Sequence, residues 1–365
     1  MKKRGKFVNA VKIFVSLCLV CSAAFCVASR FSQCFKSNNP AMLAAAAFTL
    51  AGGDYKIEKP TDTSQDNSKG ENKEPQNDAS SATQTVSSIE KNRDKSDYYD
   101  SFGEHNGEVK YEIAENNYSN FGTQVDKCFI KNKTGLDLDF NSLLTSPLTF
   151  NVKKNTDSPQ VLIYHTHTSE SYIDEDVDFF YSGYYSRTQN TDFNVVAVGE
   201  AITSTLKRNG ISVVHDKTVH DSTYNGSYDR SVQTVESNMD KYKDIKVVLD
   251  IHRDAIGTEE CKIKPVFTYK DKKAAQIMIL SGCDTDGERG FENWQNNLNF
   301  ALKIQNTAEK MYPGMTRPIS FDYFAYNEYV CDGSLLIEVG TEANSIDEAV
   351  YAGQLLGNVL SEVFK

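Results

Sequence analysis

Val161-Leu162-Ile163-Tyr164-His165-Thr166-His167-Thr168-Ser169-Glu170-Ser171-Tyr172 is the stretch around which the rest of the chain is organised. A short apolar run, consistent with a buried strand, ends abruptly in two histidines and a carboxylate. Open α/β sheets place their reactive side chains at such strand ends. From Gln160 onward, strand and helix patterns alternate. Strand candidates are Val161–Tyr164, Ile211–Val214, Val247–Ile251, Lys264–Tyr269, Gln276–Ser281, Ile319–Tyr323 and Ser334–Val339. Asp192 is placed to cap a helix carrying Val195, Val198, Ile202 and Leu206, stopped at Asn209-Gly210. Phe291, Trp294, Leu298, Ala301, Ile304, Ala308 and Met311 line a second helix. Ile346, Val350, Gly353, Leu356, Leu360 and Val363 line a third. Alternation of this kind predicts an α/β domain over 156–365, with a mostly parallel twisted sheet flanked by helices.

N-terminal to this core the composition changes. Met1–Lys12 is basic, and Ile13–Ser29 carries no charge, which predicts a transmembrane anchor or a signal peptide that sends the remainder out of the cytoplasm. An alanine-rich patch at Ala41–Ala51 is too short to span a membrane. From 30 to 106 the sequence is largely polar and is expected to act as a flexible tether, with His105 inert at its end. Residues 107–155 read as a small lead-in that packs on the main domain.

The net charge of −11 argues against nucleic acid as a partner, since phosphate binding needs a basic face. The eight cysteines show no disulfide pattern: Cys18, Cys21 and Cys26 lie in the apolar N-terminal segment, and the other five are scattered. No G-x-S-x-G elbow, P-loop or nucleotide-binding glycine pattern is present.

The chemistry-bearing residues fall in three strand-end segments. His167 and Glu170 form an H-x-x-E beyond the first strand, and a catalytic zinc accepts both ligand types and needs only three protein ligands. His165 faces the same side in an extended chain and is an alternate ligand; whichever histidine does not bind becomes a partner beside the metal. Val247-Val248-Leu249-Asp250-Ile251-His252-Arg253-Asp254-Ala255 puts His252 at a second strand end. In a parallel sheet such ends share one edge, so His252 and His167 can meet. Leu335-Leu336-Ile337-Glu338-Val339-Gly340-Thr341 embeds Glu338 in an apolar strand, where an unpaired carboxylate is costly. Glu338 is read as a general base beside a metal-bound water, or else as half of an ion pair with Arg253 or Arg230. His215-Asp216 and His220-Asp221 have the letters of a metal phosphohydrolase but not its helical setting. Arg230, Tyr228, Arg253 and His220 are candidates for holding the substrate.

Taken together, these segments resemble the stage II sporulation protein P family of spore-forming bacteria. The match runs through L-I-Y-H-T-H-T-S-E-S-Y at 162–172, V-V-H-D-K-T-V-H-D at 213–221 and Y-N-G-S-Y-D-R-S at 224–231. It continues through D-I-H-R-D-A at 250–255 and L-L-I-E-V-G-T-E-A-N at 335–344, covering roughly 125–365. The resemblance implies a membrane-anchored peptidoglycan hydrolase of forespore engulfment, similar to zinc N-acetylmuramoyl-L-alanine amidases and associated with amidase and endopeptidase cleavage. It implies zinc held by His167, a carboxylate and His252, with Glu338 catalytic. The amidases take the carboxylate from the start of their first long helix, where this chain has Gln189-Asn190, so Glu170 is assigned instead. The implied partner is stage II sporulation protein D, a lytic transglycosylase, in a membrane complex. Two other readings stay open: a non-catalytic peptidoglycan-binding scaffold, or a metallocarboxypeptidase-like enzyme that cuts stem peptides only.

Overall fold

In the computed structural model, which describes residues 93–365, Val161–Tyr164 is a strand buried along its whole length. It is β4 of an eight-stranded sheet. The other members are β2 (Thr123–Val125), β3 (Cys128–Asn132), β6 (Val213–His215), β7 (Val247–Asp254), β10 (Ile277–Gly282), β11 (Ile319–Asp322) and β12 (Gly333–Thr341). Their order is β2-β3-β11-β10-β12-β7-β4-β6. From β12 to β6 every neighbouring pair is parallel. β10 lies antiparallel to β12 and starts a second, oppositely running half. The expected α/β sheet is present, and this reversal is its main departure from a simple alternating sheet.

The reversal follows from what lies between β7 and β10. Residues 261–269 form β8 and 272–275 form β9, joined by Lys270-Asp271, both at positive φ as a two-residue hairpin requires. With β1 (Lys110–Asn116) and β5 (Phe179–Tyr181) they make a separate sheet in the order β5-β1-β8-β9. The strand expected at 264–269 therefore leaves the main sheet, and the chain re-enters it from the opposite end.

Helices cover both faces. Helix α1 (Phe140–Thr145) is short. Helices α2 (Val195–Arg208), α4 (Trp294–Met311) and α5 (Ile346–Val363) bury their apolar stripes in the core that also holds Ile163, Leu249, Ile251, Ile279 and Ile337. Helix α3 (Ser227–Lys241) covers Leu162, Tyr164 and Val248 on the other face. A strand sealed on both sides is apolar along its covered part, which is what 161–164 and 247–249 display. Gly357 of α5 lets it approach α2 closely, since a Cβ there would lie 2.7 Å from Thr205 Cβ. The α2 cap is Asn194, whose side chain accepts from Val196 N, rather than Asp192. Helix α4 begins at Trp294, three residues after the buried Phe291.

Residues 93–106, assigned to the tether by composition, lie on this domain. Tyr98 stacks on Phe193 at 4.6 Å and donates to the carbonyl of Tyr172 at 2.5 Å, while Lys95 pairs with Asp174 and Glu175. His105 stacks on Tyr181 at 4.0 Å. Aromatic anchors outweigh a polar average. The lead-in is likewise built into both sheets through β1, β2 and β3. The basic segment 1–12, the anchor at 13–29 and the tether up to 92 lie outside the described residues. Cys128, Cys261, Cys283 and Cys331 are free thiols.

Candidate metal centre

Three adjacent parallel strands deliver the candidate residues. Glu338 of β12 stands in register with His252 of β7, and Tyr164 of β4 with Asp250. Immediately after Tyr164 the chain leaves the strand, so His165, Thr166 and His167 turn over the end of β7. The register of β12 shifts between Glu338 and Thr341, at Gly340, whose φ is +66°. A side chain at 340 would also run into Asn344 Oδ1 at 2.5 Å, which gives the Glu-x-Gly spacing its physical cause.

His167, Glu170 and His252 are buried and come together beside the half-buried Glu338. The rings of His167 and His252 are perpendicular, with centroids 5.3 Å apart. Glu170 Oε2 lies 3.3 Å from His252 Nδ1 and accepts from the backbone N–H of Arg253 at 3.2 Å. Its Oε1 is 3.5 Å from Arg187. Burial alone would raise the Glu170 carboxyl, but Arg253 and then His252 hold it down at about 2. Burial pushes Glu338 up to about 8, with Asp254 adding to the effect. Burial would lower His252, but Asp250 and Glu170 carry it well above the usual histidine range. His167 is lowered, by burial first and then by His252.

Several polar atoms here are buried without a hydrogen-bond partner: His167 Nδ1, Glu338 Oε2 and His252 Nε2. The last is 2.9 Å from Asp250 Oδ1 but out of line with it. Imidazole nitrogens and a carboxylate oxygen left without hydrogen bonds in one neighbourhood suit a cation that prefers N and O ligands, so the donor types fit zinc. The ligand atoms of His167, Glu170 and His252 are not all within 4.8 Å of one another; among the described residues, one trio is, namely Glu115, Asp176 and Glu348. That trio already holds a cation. Lys264, with its side chain 1% exposed, lies 3.2 Å from Glu115 and 3.6 Å from Glu348, and contacts Asp176 as well.

The other predicted residues are placed as follows. His165 points away from His167, because the turn after Tyr164 breaks the two-residue alternation. Its Nδ1 meets the Ile251 carbonyl at 2.9 Å and its Nε2 meets His215 Nε2 at 2.9 Å, against Gly199. Burial, then His215, lowers it to about 3. His220 is buried between the His165 carbonyl and Thr234. Arg230 donates to the carbonyls of His220, Thr223 and Asn225. Arg253 donates to those of Ser171 and Ser186. Neither arginine pairs with Glu338, so the ion-pair alternative is not realised. Tyr228 remains at the site, near-parallel to His252 at 6.5 Å.

Sequence reasoning missed three participants. Asp250 accepts from Thr166 N at 2.8 Å and Thr166 Oγ1 at 2.6 Å, fixing the loop after β4 to β7. A carboxylate inside an apolar strand, two residues before His252, was a readable signal. Arg187 pairs with Asp221 at 2.8 Å beside Glu170, and Tyr224 stacks on His167 at 4.6 Å. Arg187 has no local pattern that marks it. Gln189-Asn190 precede α2 in a loop, and Glu170 meets the helix start instead: its carbonyl accepts from Val195 N at 2.9 Å.

The solved structures this chain is similar to include N-acetylmuramoyl-L-alanine amidase AmiC2 of Nostoc punctiforme, at 11% identity and a TM-score of 0.31, covering 56% of this chain and 93% of that one. The CwlD amidase from Clostridioides difficile, solved in complex with the GerS lipoprotein, gives 10%, 0.31, 56% and 99%. The catalytic domain of CwlV, an N-acetylmuramoyl-L-alanine amidase from Bacillus (Paenibacillus) polymyxa var. colistinus, gives 16%, 0.31, 56% and 99%. At that TM-score these likenesses carry no argument. Stage II sporulation protein P of Bacillus subtilis (strain 168) is 28% identical over 225 residues, 57% of this chain and 52% of that protein, so the match spans about half the length of the relative. The family model for stage II sporulation protein P (SpoIIP) matches residues 34–361. With nearly all of its length matched, the chain belongs to the stage II sporulation protein P family.

Proposed function

We propose that this protein is a zinc-dependent hydrolase of bacterial cell-wall peptidoglycan that acts in sporulation, during engulfment of the forespore. The bond is the amide joining the lactyl group of N-acetylmuramic acid to L-alanine, with stem-peptide cross-links as a second target. The observation that carries this reading is Glu338: a half-buried carboxylate with one shielded, unpartnered oxygen, in register with His252 and near Glu170. Family membership and the sequence resemblance to zinc amidases support it.

His167, Glu170 and His252 would hold the metal. Bound zinc supplies polarisation of the scissile carbonyl and brings the pKa of its water toward neutrality. Glu338 takes a proton from the attacking water and returns it to the leaving amine, a task suited to a group whose basicity burial keeps high. Arg253 holds Glu170 ionised through its backbone N–H and its charge. Asp250, through Thr166, fixes the approach of His167 to His252. Tyr224 stacks over His167 and limits its access to water.

A retained single-pass anchor at 13–29, an extracytoplasmic catalytic domain and a complex with stage II sporulation protein D belong to the same proposal. Among the described residues no helix is long and apolar enough to cross a membrane. The test is digestion of purified sacculi with the full chain and identification of products by mass spectrometry. Release of free stem peptides is expected; stem-peptide fragments alone would favour a pure peptidase, and undigested sacculi the scaffold reading. Unchanged activity in Glu338→Ala would sink the mechanism.

A further inference from the structure

The connection from β11 to β12 contains Tyr323-Phe324-Ala325-Tyr326-Asn327-Glu328-Tyr329. Tyr323, Tyr326 and Tyr329 are 39%, 37% and 39% exposed. Directly beneath them the segment is fastened by buried polar groups. The Glu328 carboxyl is fully buried and accepts from Gly282 N at 3.0 Å. Asn297 donates to the carbonyls of Glu328, Cys331 and Ser334. Asn327 donates to the Tyr228 carbonyl and to Ser231 Oγ.

The backbone is strained where the rings are set. Tyr326 has φ +37° and Asn327 φ +60°, a left-handed pair that a bulky residue adopts only when its surroundings impose it. The strain turns Tyr326 onto Tyr228 at 5.3 Å, with Phe324 behind it at 4.7 Å. Tyr228 in turn faces His252. A row of rings thus runs from the candidate metal ligands out to the surface. Glu338 is near enough to Tyr326 that, after burial, its charge is the next cause raising that phenol.

Each flank of the site carries an arginine already paired with two acids. On one, Arg187 lies 5.3 Å from the Tyr224 ring centroid and pairs with Asp221 and Glu170. On the other, Arg289 lies 5.9 Å from the Tyr323 centroid and is tied to Asp284 and Asp286. What sets the second flank apart is its run of tyrosines at 323, 326 and 329. A neutral ring with an apolar face and a polar rim matches the second, because tyrosine offers rigid apolar area with a hydroxyl edge at little entropic cost.

We propose that Tyr326 and Tyr323, backed by Phe324, form a stacking platform for the sugar rings of the glycan strand. The platform rests on the wall-hydrolase reading for the identity of its ligand, but its test needs no turnover. Binding of the full chain is measured to two probes: glycan strands stripped of their peptides, and free stem peptide. Tyr323→Ala/Tyr326→Ala should weaken glycan binding at least about tenfold and leave peptide binding unchanged. Tyr326→Phe should keep most of the glycan binding, and Tyr323→Ala alone, at a position without positive φ, should lose part of it with an unaltered melting temperature. Equal glycan binding by the wild-type chain and both alanine variants, a parallel loss of peptide binding, or no glycan binding by the wild-type chain overturns the platform. A chain that binds glycan through these tyrosines yet hydrolyses nothing keeps the platform and removes the hydrolase reading.

Discussion

Two clusters in this protein are built from the same material and end in opposite states. Glu115, Asp176 and Glu348 converge from distant segments onto Lys264, and Lys273 pairs with Glu115 and Asp176 from outside. Glu170 and His167 from the loop after β4, His252 of β7 and Glu338 of β12 converge with Arg187 and Arg253 beside Glu170, and His167 Nδ1, His252 Nε2 and Glu338 Oε2 make no hydrogen bond. An acid cluster that contains its own cations is complete as a structural element, and here two of its three carboxylates are exposed as well. One that leaves a carboxylate oxygen and imidazole nitrogens without hydrogen bonds calls for a cation from outside.

The contrast can be broken most severely at His252. His252→Ala should take the full chain from about one bound zinc to none, read by metal analysis, and abolish wall hydrolysis. Zinc retained at full stoichiometry would remove His252 from the ligand set. Lys264→Met should do the reverse. It leaves the buried Glu348 without its cation, while Glu115 and Asp176 keep Lys273, and costs about 1–3 kcal/mol of stability by denaturant unfolding with zinc content unchanged. If that variant were as stable as the parent, the Lys264 cluster would not be the structural one.

The third test uses pH. Glu338 titrates near 8 in the folded, zinc-free protein against an ordinary 4.5, so the folded state binds its proton more tightly than the unfolded chain does. That contribution to stability is complete below about 4.5 and is lost as pH rises through 8, a change on the order of a few kcal/mol. Glu338→Gln should flatten this part of the stability–pH curve of the zinc-free chain. Parallel curves for the two proteins would show that the carboxyl is not held protonated. The smallest effect is expected from Ser345→Ala. Ser345 Oγ accepts from Glu348 N, and Glu348 Oε2 accepts from Ser345 N, a capping box that also steadies one acid of the Lys264 cluster. Its loss should cost about 1 kcal/mol, because Lys264 still holds the carboxylate. A much larger loss would mean that the cap, and not the lysine, organises that cluster.

Much of the fold was legible because local pattern and global role agree. The runs 161–164 and 247–249 are apolar on both faces, which only a strand covered on both sides requires, and three helices kept a clean 3.6-residue stripe. The exit of β8 into a second sheet was not legible, since Lys264–Tyr269 has the same strand character whichever sheet it joins. Nor was the docking of 93–106, where Tyr98 and Lys95 act against a polar background. At the site, His167, His252 and Glu338 could be picked out as polar residues at or within apolar strands, and Asp250 carried the same mark unread. Arg187 and Tyr326 carried none, because their meaning comes entirely from what they face.

By itself the sequence determined that a parallel strand edge would gather His167, His252 and Glu338, for strand ends on one edge of a sheet meet however far apart they lie along the chain. Only the tertiary structure decided which way each ring turned. The chain bends after Tyr164, sending His165 back toward Gly199 and His215 and His167 forward toward His252, and a turn of that kind follows from the packing around it rather than from any spacing of letters. It decided equally that Lys264 would complete one acid cluster while the other was left open, since the cost of a buried charge depends on neighbours that the linear sequence keeps far apart.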